Sequence, residues 1–363
     1  MIYRGKNIVL LYLAITCSLS YASGFTASAW PEADSLFRGD AHWVGADDAY
    51  SVDLGQGRIL WLFADTLIDP TGHHQRNEAV MIHNSVGIQQ GSNPAHASIS
   101  FFWKRSSKGG PASFFEEDGQ DYFWPGDGIL VKGRLFVFLM RVRPSDKGLG
   151  FEVFDWDVVR VDHPDMPASE WHFDRLDTPH NDFGVIVGSS SVLRSGDFVY
   201  AFGSREPGGP HSMYLVRWPV KAFAQGALDG IQWWKGENMG WVSRSDLQGR
   251  PEPVFKNGQT ELTVHFDCRE GRYRCIQGIG FGAAPIGSRT AEALTGPWTN
   301  PCVICRPPEM TLPHIMIYAV KEHPELTGAD VVITYATNSL NFADLKRNPS
   351  LYYPRFVRLS RKR

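Results

Sequence analysis

Gln56-Gly57-Arg58-Ile59-Leu60-Trp61-Leu62-Phe63-Ala64-Asp65 is a glycine turn leading into a short apolar strand that ends on an acid. The glycine turn leading into a short apolar or aromatic strand returns at Lys132–Arg141, Ser195–Ser204, Asn257–Asp267 and Thr327–Asn338. One supersecondary unit recurring every ~60–75 residues marks a stacked or radial array. Four-stranded blades around an axis need about that length once loops are included. The expected fold is therefore all-β, a five-bladed β-propeller. Such a ring gathers the inner strands at one mouth, where residues distant in sequence can share a site.

The rest of the pattern agrees. Trp61, Phe63, Phe136, Phe138, Phe198, Tyr200 and Phe202 recur at even spacing, as strands with one face buried require. An apolar partner precedes each repeated strand: Ala49–Leu54, Gly128–Val131, Phe183–Leu193, Pro253–Phe255 and His314–Val320. These read as the inner strands. The segments that follow read as outer strands, and the first blade is expected to borrow a strand from the chain end. No linker divides the chain, so residues 23–363 read as one propeller domain.

Residues 1–22 read as a signal peptide. Arg4 and Lys6 precede an apolar run, and Ser20 and Ala22 form a small-x-small cleavage site. The run is too short for a confident membrane span. A secreted or periplasmic protein is expected. The formal net charge of -3 becomes two units more negative once Arg4 and Lys6 are removed. That balance gives no basic footprint for nucleic acid. A monomer is expected. In an oxidising compartment Cys268, Cys275, Cys302 and Cys305 would pair, most simply as Cys268–Cys275 and Cys302–Cys305. Cys302-Val-Ile-Cys305 also has the spacing of half a zinc knuckle, but the other pair does not complete one.

Gly45-Ala46-Asp47-Asp48-Ala49-Tyr50-Ser51 leads into the first hairpin and Asp65 closes it. Around a turn at Gly55–Gly57, residues 47 and 65 stand about equally far out and should face each other. Two carboxylates so close cannot both ionise freely, and one acid beside one carboxylate is what glycosidic cleavage uses. Asp also caps strand ends, so spacing alone leaves both readings open. Asp127 precedes an inner strand much as Asp47 does, as a third acid, a pKa modulator or a turn residue. His83, Asn84, His314, Tyr318 and Asn338 lie where they could bind hydroxyls or hold a carboxylate. Trp43, Trp103 and Trp124 could stack on sugar rings. No phosphate loop and no Gly-x-Ser-x-Gly elbow occurs. Hydrolysis of this kind needs no cofactor or catalytic metal, and a calcium on the axis would leave no linear trace.

Several of these blocks resemble the domain-of-unknown-function 4185 family. They are Gly45-x-Asp47-x-Ala49-Tyr50-Ser51, Gly57-Arg58-x-Leu60-Trp61-Leu62-Phe63-x-Asp65-Thr66, Met81-Ile82-His83-Asn84-Ser85 and Trp124-Pro125-Gly126-Asp127-Gly128. Thr334–Ser339 and Tyr353-Pro354-Arg355-Phe356 extend the resemblance over about residues 40 to 358. The resemblance implies a five-bladed propeller. It includes the glycoside hydrolase family 183 endo-D-arabinanases, and by it Asp47 and Asp65 match the paired first-blade acids. It implies an arabinan-like, furanose-containing polysaccharide as substrate. A non-catalytic carbohydrate-binding or surface-adhesion propeller is the alternative.

Overall fold

In the computed structural model, residues 24–205, 211–341 and 343–362 are described. The signal peptide reading falls outside them. Five antiparallel sheets are each led by one inner strand: Trp43–Gly55, Tyr122–Val131, Val185–Ser195, Leu262–Asp267 and Ile315–Glu322. Neighbouring inner strands touch all the way round, so the five sheets are the blades of a closed propeller. Among the described residues no helix is long and apolar enough to cross a membrane.

Tight turns set the hairpins. Lys132 and Gly133 both take positive φ, 50° and 78°, and join Tyr122–Val131 to Arg134–Pro144. That two-residue geometry matches the right-handed twist of the strands it joins. The alternating aromatics then fall between blades as anticipated. Trp61, Phe63, Phe136, Phe138 and Phe202 are fully buried. Phe138 packs with Trp156, Trp218 and Phe223 between the second and third blades. Phe37 meets Trp61, Phe63 and Phe356 where the ring closes.

Three expectations need correction. Closure runs the other way: Phe25–Ala29, from the chain start, pairs with Arg355–Arg361 as the outermost strand of the last blade. In the fourth blade the inner strand is Leu262–Asp267 and the second is Arg272–Gly278. The Pro253–Phe255 segment is not an inner strand. Phe255–Gly258 instead pairs with His211–Pro219 at the edge of the third blade. The fourth glycine turn thus precedes an inner strand, where the other four precede second strands.

The expected disulfides are also absent, and all four thiols are free. Cys268 lies in an exposed turn, whereas Cys275 points into the core from Arg272–Gly278. Burial pushes the Cys275 thiol up to about 12. Cys302 and Cys305 are three apart on one strand. A bulge at Ile304 sets Cys302 opposite Ser288 and Cys305 opposite Ile286, so both thiols lie on the same face and pack against the same core without bonding to each other.

One ammonium ties the ring together. Lys321, on the fifth inner strand, donates to Ser190 O of the third blade and Leu262 O of the fourth, both at 2.7 Å. Its Nζ is 3.9 Å from Asp127 Oδ2 of the second blade and 3.9 Å from the ring centre of Tyr50 of the first. Tyr50 in turn donates to Ser189 O at 2.5 Å. All five blades therefore meet around one buried cation on the axis.

Candidate active site

The first inner strand is bulged where the acids lie. Its register with Arg58–Ile68 runs Ala46 to Thr66, then Asp48 to Phe63, then Tyr50 to Leu62. Asp48 and Ala49 take φ of 62° and 118°. A bulge of this kind re-aims side chains that regular alternation would send to opposite faces. Asp47 and Asp48 consequently both feel the charges of Asp65 and Glu261. Gly45 is needed for the same approach. A Cβ there would stand 2.4 Å from Tyr352 O.

Asp47 and Asp65 are brought together, in contrasting surroundings. Asp47 Oδ2 accepts from Tyr318 Oη at 2.6 Å, and Asn338 Nδ2 donates to that tyrosine at 3.1 Å. Tyr352 Oη donates to the backbone carbonyl of Asp65 at 3.1 Å and lies 3.4 Å from the Asp47 carboxyl Oδ2. Asp47 Oδ1 is buried without a partner. Burial first, and the Asp65 charge second, push the Asp47 carboxyl up to about 8. At neutral pH Asp47 is therefore a carboxylic acid with an O–H to give.

Asp65 is more open. Its Oδ1 accepts from Trp124 Nε1 at 2.8 Å and is 3.1 Å from His83 Nδ1. His83 is stacked on Tyr122 at 3.7 Å between centroids, and its Nε2 lies 3.9 Å from Glu117 Oε1. Burial and the acids around them raise Tyr318 and Tyr352 well above an ordinary phenol, so both remain donors.

Of the residues singled out from sequence, Asp47, Asp65, His83, Trp124, Tyr318 and Asn338 converge here. Three do not. Asp127 sits deeper, at the axis: its carboxylate accepts from Gly128 N at 2.9 Å and Val192 N at 2.8 Å. Burial raises its pKa, while Lys321 opposes the rise. Asn84 is fully buried. It clamps Phe115 N and O and Phe123 O, which leaves no group for a ligand. His314 is exposed at the rim and faces Asp344 at 3.8 Å rather than either acid. Nor is Trp43 a sugar platform. It is fully buried, stacked on Phe101 at 4.3 Å, and bonded to Ser85 Oγ at 3.1 Å. Trp103 packs against that same first-blade core.

Four contributors escaped the sequence reading. Asp48 stood beside Asp47 in the same block. Glu261 opens the fourth inner strand, whose position was misplaced. Tyr352 lies in a loop that is far away along the chain. Arg76 staples that loop over the mouth by donating to Val44 O, Leu345 O and Leu351 O at 2.8, 3.2 and 2.6 Å. Among the described residues no group of three or more His, Cys, Asp or Glu side chains is arranged to hold a metal. The axial position is taken up by the Lys321 ammonium.

The fold and its acidic mouth define a five-bladed propeller with an acid pair at the open end of its ring. The chain belongs to the family "Domain of unknown function (DUF5005)", whose model matches residues 32–361. The family shown is thus this one, and membership of the 4185 family is not. A protein from Bacteroides ovatus ATCC 8483, described as a candidate hydrolase, is similar in structure at a TM-score of 0.73 and 16% identity. The match covers 94% of this chain and 93% of that one. The catalytic domain of the Coprinopsis cinerea GH62 alpha-L-arabinofuranosidase is similar at a TM-score of 0.49 and 11% identity, over 88% and 92% of the two chains. No curated protein matches the chain in sequence.

Proposed function

We propose that this chain is an exported, monomeric glycoside hydrolase that cleaves a furanose-containing, arabinan-like polysaccharide at the Asp47–Asp65 pair. The observation that carries this reading is the contrast between the two acids. Asp47 keeps its proton to about pH 8, with Oδ1 unpartnered, beside a more open Asp65 braced by Trp124 and His83. In this scheme Asp47 gives its Oδ1 proton to the glycosidic oxygen as the carbon–oxygen bond breaks. Asp65 either takes a proton from the attacking water or attacks the sugar carbon itself. The anomer of the first product, read by NMR, separates those two routes. Tyr318 and Tyr352 hold Asp47 in place, and His83 and Trp124 hold Asp65. Export follows from the signal-like residues 1–22, and the arabinan class from the motif resemblance at Gly45–Thr66.

The test is a panel of polysaccharides, arabinans and arabinogalactans included, incubated with the purified mature chain and read out as new reducing ends. Release from a furanose polymer that is abolished in Asp47→Asn and Asp65→Asn supports the reading. Glycan binding without cleavage would replace it with a carbohydrate-binding or adhesion role.

A further inference from the structure

A path leads away from the acid pair across the flank of the second blade. Glu117 lies 3.9 Å from His83 and also lines a recess of about 390 Å³. Its other walls include Lys104, Phe115, Glu116 and Asp118 and, from the far side, His172, Phe173 and Arg175. Trp171 and His172 are also walls of a larger recess, of about 830 Å³, bordered by residues 161–174. Both volumes fall within the range of ~300–1,000 Å³ usual for ligand sites.

The charges along this path are informative. Lys104 is paired with Glu116 at 2.7 Å, and Arg175 with Asp118 at 3.1 Å and Asp157 at 2.5 Å. In the outer recess Asp162 is bridged by Arg134 and Arg160, at 3.1 and 2.8 Å. The cations here are already engaged by carboxylates, and past Glu117 the chain would meet the Asp65 carboxylate, while burial holds Asp47 and Asp48 toward the neutral form. A uronate- or sulfate-bearing chain would meet like charge, and among the described residues lining the recesses the Lys and Arg side chains, Lys104 and Arg175, are both already paired. A hydroxyl-rich neutral chain would meet the half-buried ring of Phe173 and an abundance of hydrogen-bonding partners.

We propose that the two recesses are outer subsites for an uncharged polysaccharide chain that reaches the acid pair past Glu117 and His83. The inference rests on the hydrolase reading for its substrate but places binding where that reading does not. It makes the molecule a reader of long chains rather than of single sugars.

The experiment uses neutral furanose oligosaccharides of increasing length, with a polyuronate series for contrast, and follows both cleavage and binding to immobilised protein. Binding is repeated on Asp47→Asn. The probing variants are His172→Ala, at the junction of the recesses, and Ser169→Trp, which fills the outer one; both positions are exposed. In the parent, kcat/KM and affinity should rise about tenfold or more from two-ring to long substrates. In each variant that rise should flatten, so that the loss grows with chain length. Polyuronates should be bound and cleaved at least about tenfold worse. An equal rise with length in parent and variants, or equal use of polyuronates, overturns the proposal and leaves the hydrolase reading standing. Length-dependent binding lost in Ser169→Trp, with no cleavage by the parent, keeps the subsites and removes the hydrolase. Neither binding nor cleavage of any neutral chain overturns both.

Discussion

Asp47 and Asp127 look alike in sequence, since each precedes or enters an inner strand beside glycine. The structure gives them opposite lives. Asp127 is buried at the axis with both oxygens engaged by backbone N–H groups and with Lys321 close by. Asp47 is buried at the mouth with one oxygen held by Tyr318 and the other unpartnered. A satisfied buried acid ties structure together. A buried acid with an unused oxygen, next to a second acid, holds a proton that it can hand over. The lesson is that burial alone does not mark a catalytic carboxylate, and the partners decide.

The largest effect should come at the mouth. Asp47→Asn or Asp65→Asn should lower turnover ~10²–10⁴-fold, the usual contribution of a positioned acid or base. Circular dichroism should be unaltered. Asp127→Asn should instead appear mainly as a loss of stability. If the two positions exchanged these signatures, the contrast would be broken.

At the axis, Lys321→Met removes the cation shared by five blades and leaves Asp127 uncompensated. Removing one partner of a buried pair costs ~3–5 kcal/mol, to be measured by urea unfolding. Adding Asp127→Asn should recover part of that loss. No recovery would mean the pair is not coupled.

A subtler effect sharpens the comparison. Folded Asp47 titrates near 8, whereas its ordinary value is 3.8. The folded chain therefore holds one more proton than the unfolded chain between those values. Its stability declines as pH rises through that window. Asp47→Asn escapes the decline. It should be more stable than the parent by ~1–3 kcal/mol at pH 8, with the gain shrinking toward pH 4, as is common when a strained functional group is removed. Thermal melts at several pH values would show it. A gain that grew toward acid pH would contradict the assignment.

The smallest expected change belongs to Tyr318→Phe. The tyrosine O–H favours the ionised form of Asp47. Its loss should move the alkaline limb of kcat/KM upward by ~0.5–1 pH unit, as befits one hydrogen bond. A downward shift would mean that the tyrosine serves the neutral form.

The propeller was legible because its signal is repeated. Gly57, Gly133, Gly196 and Gly328 each punctuate a chain turning from one strand into an apolar or aromatic next one. The fourth blade misled because Gly258 belongs to an edge strand of the third, and no local pattern distinguishes an edge strand from an inner one. Half of the site was legible for a similar reason. Asp47 and Asp65 belong to one hairpin, so counting from its turn brings them together. Tyr318 and Asn338 lay at strand ends of the fifth blade. Tyr352 and Arg76 were invisible because their contribution is a loop folded across the mouth, fixed by backbone carbonyls that any sequence would supply. Asp127 and Asn84 were overread because a polar residue near a strand end looks the same whether its partners are backbone or substrate.

The most direct measurement is a difference infrared titration of the parent against Asp47→Asn. The account predicts a protonated carboxyl band in the parent at neutral pH that disappears as pH passes through about 8 and is missing from the variant. A parent in which the Asp47 carboxyl is already ionised at pH 6 would contradict it.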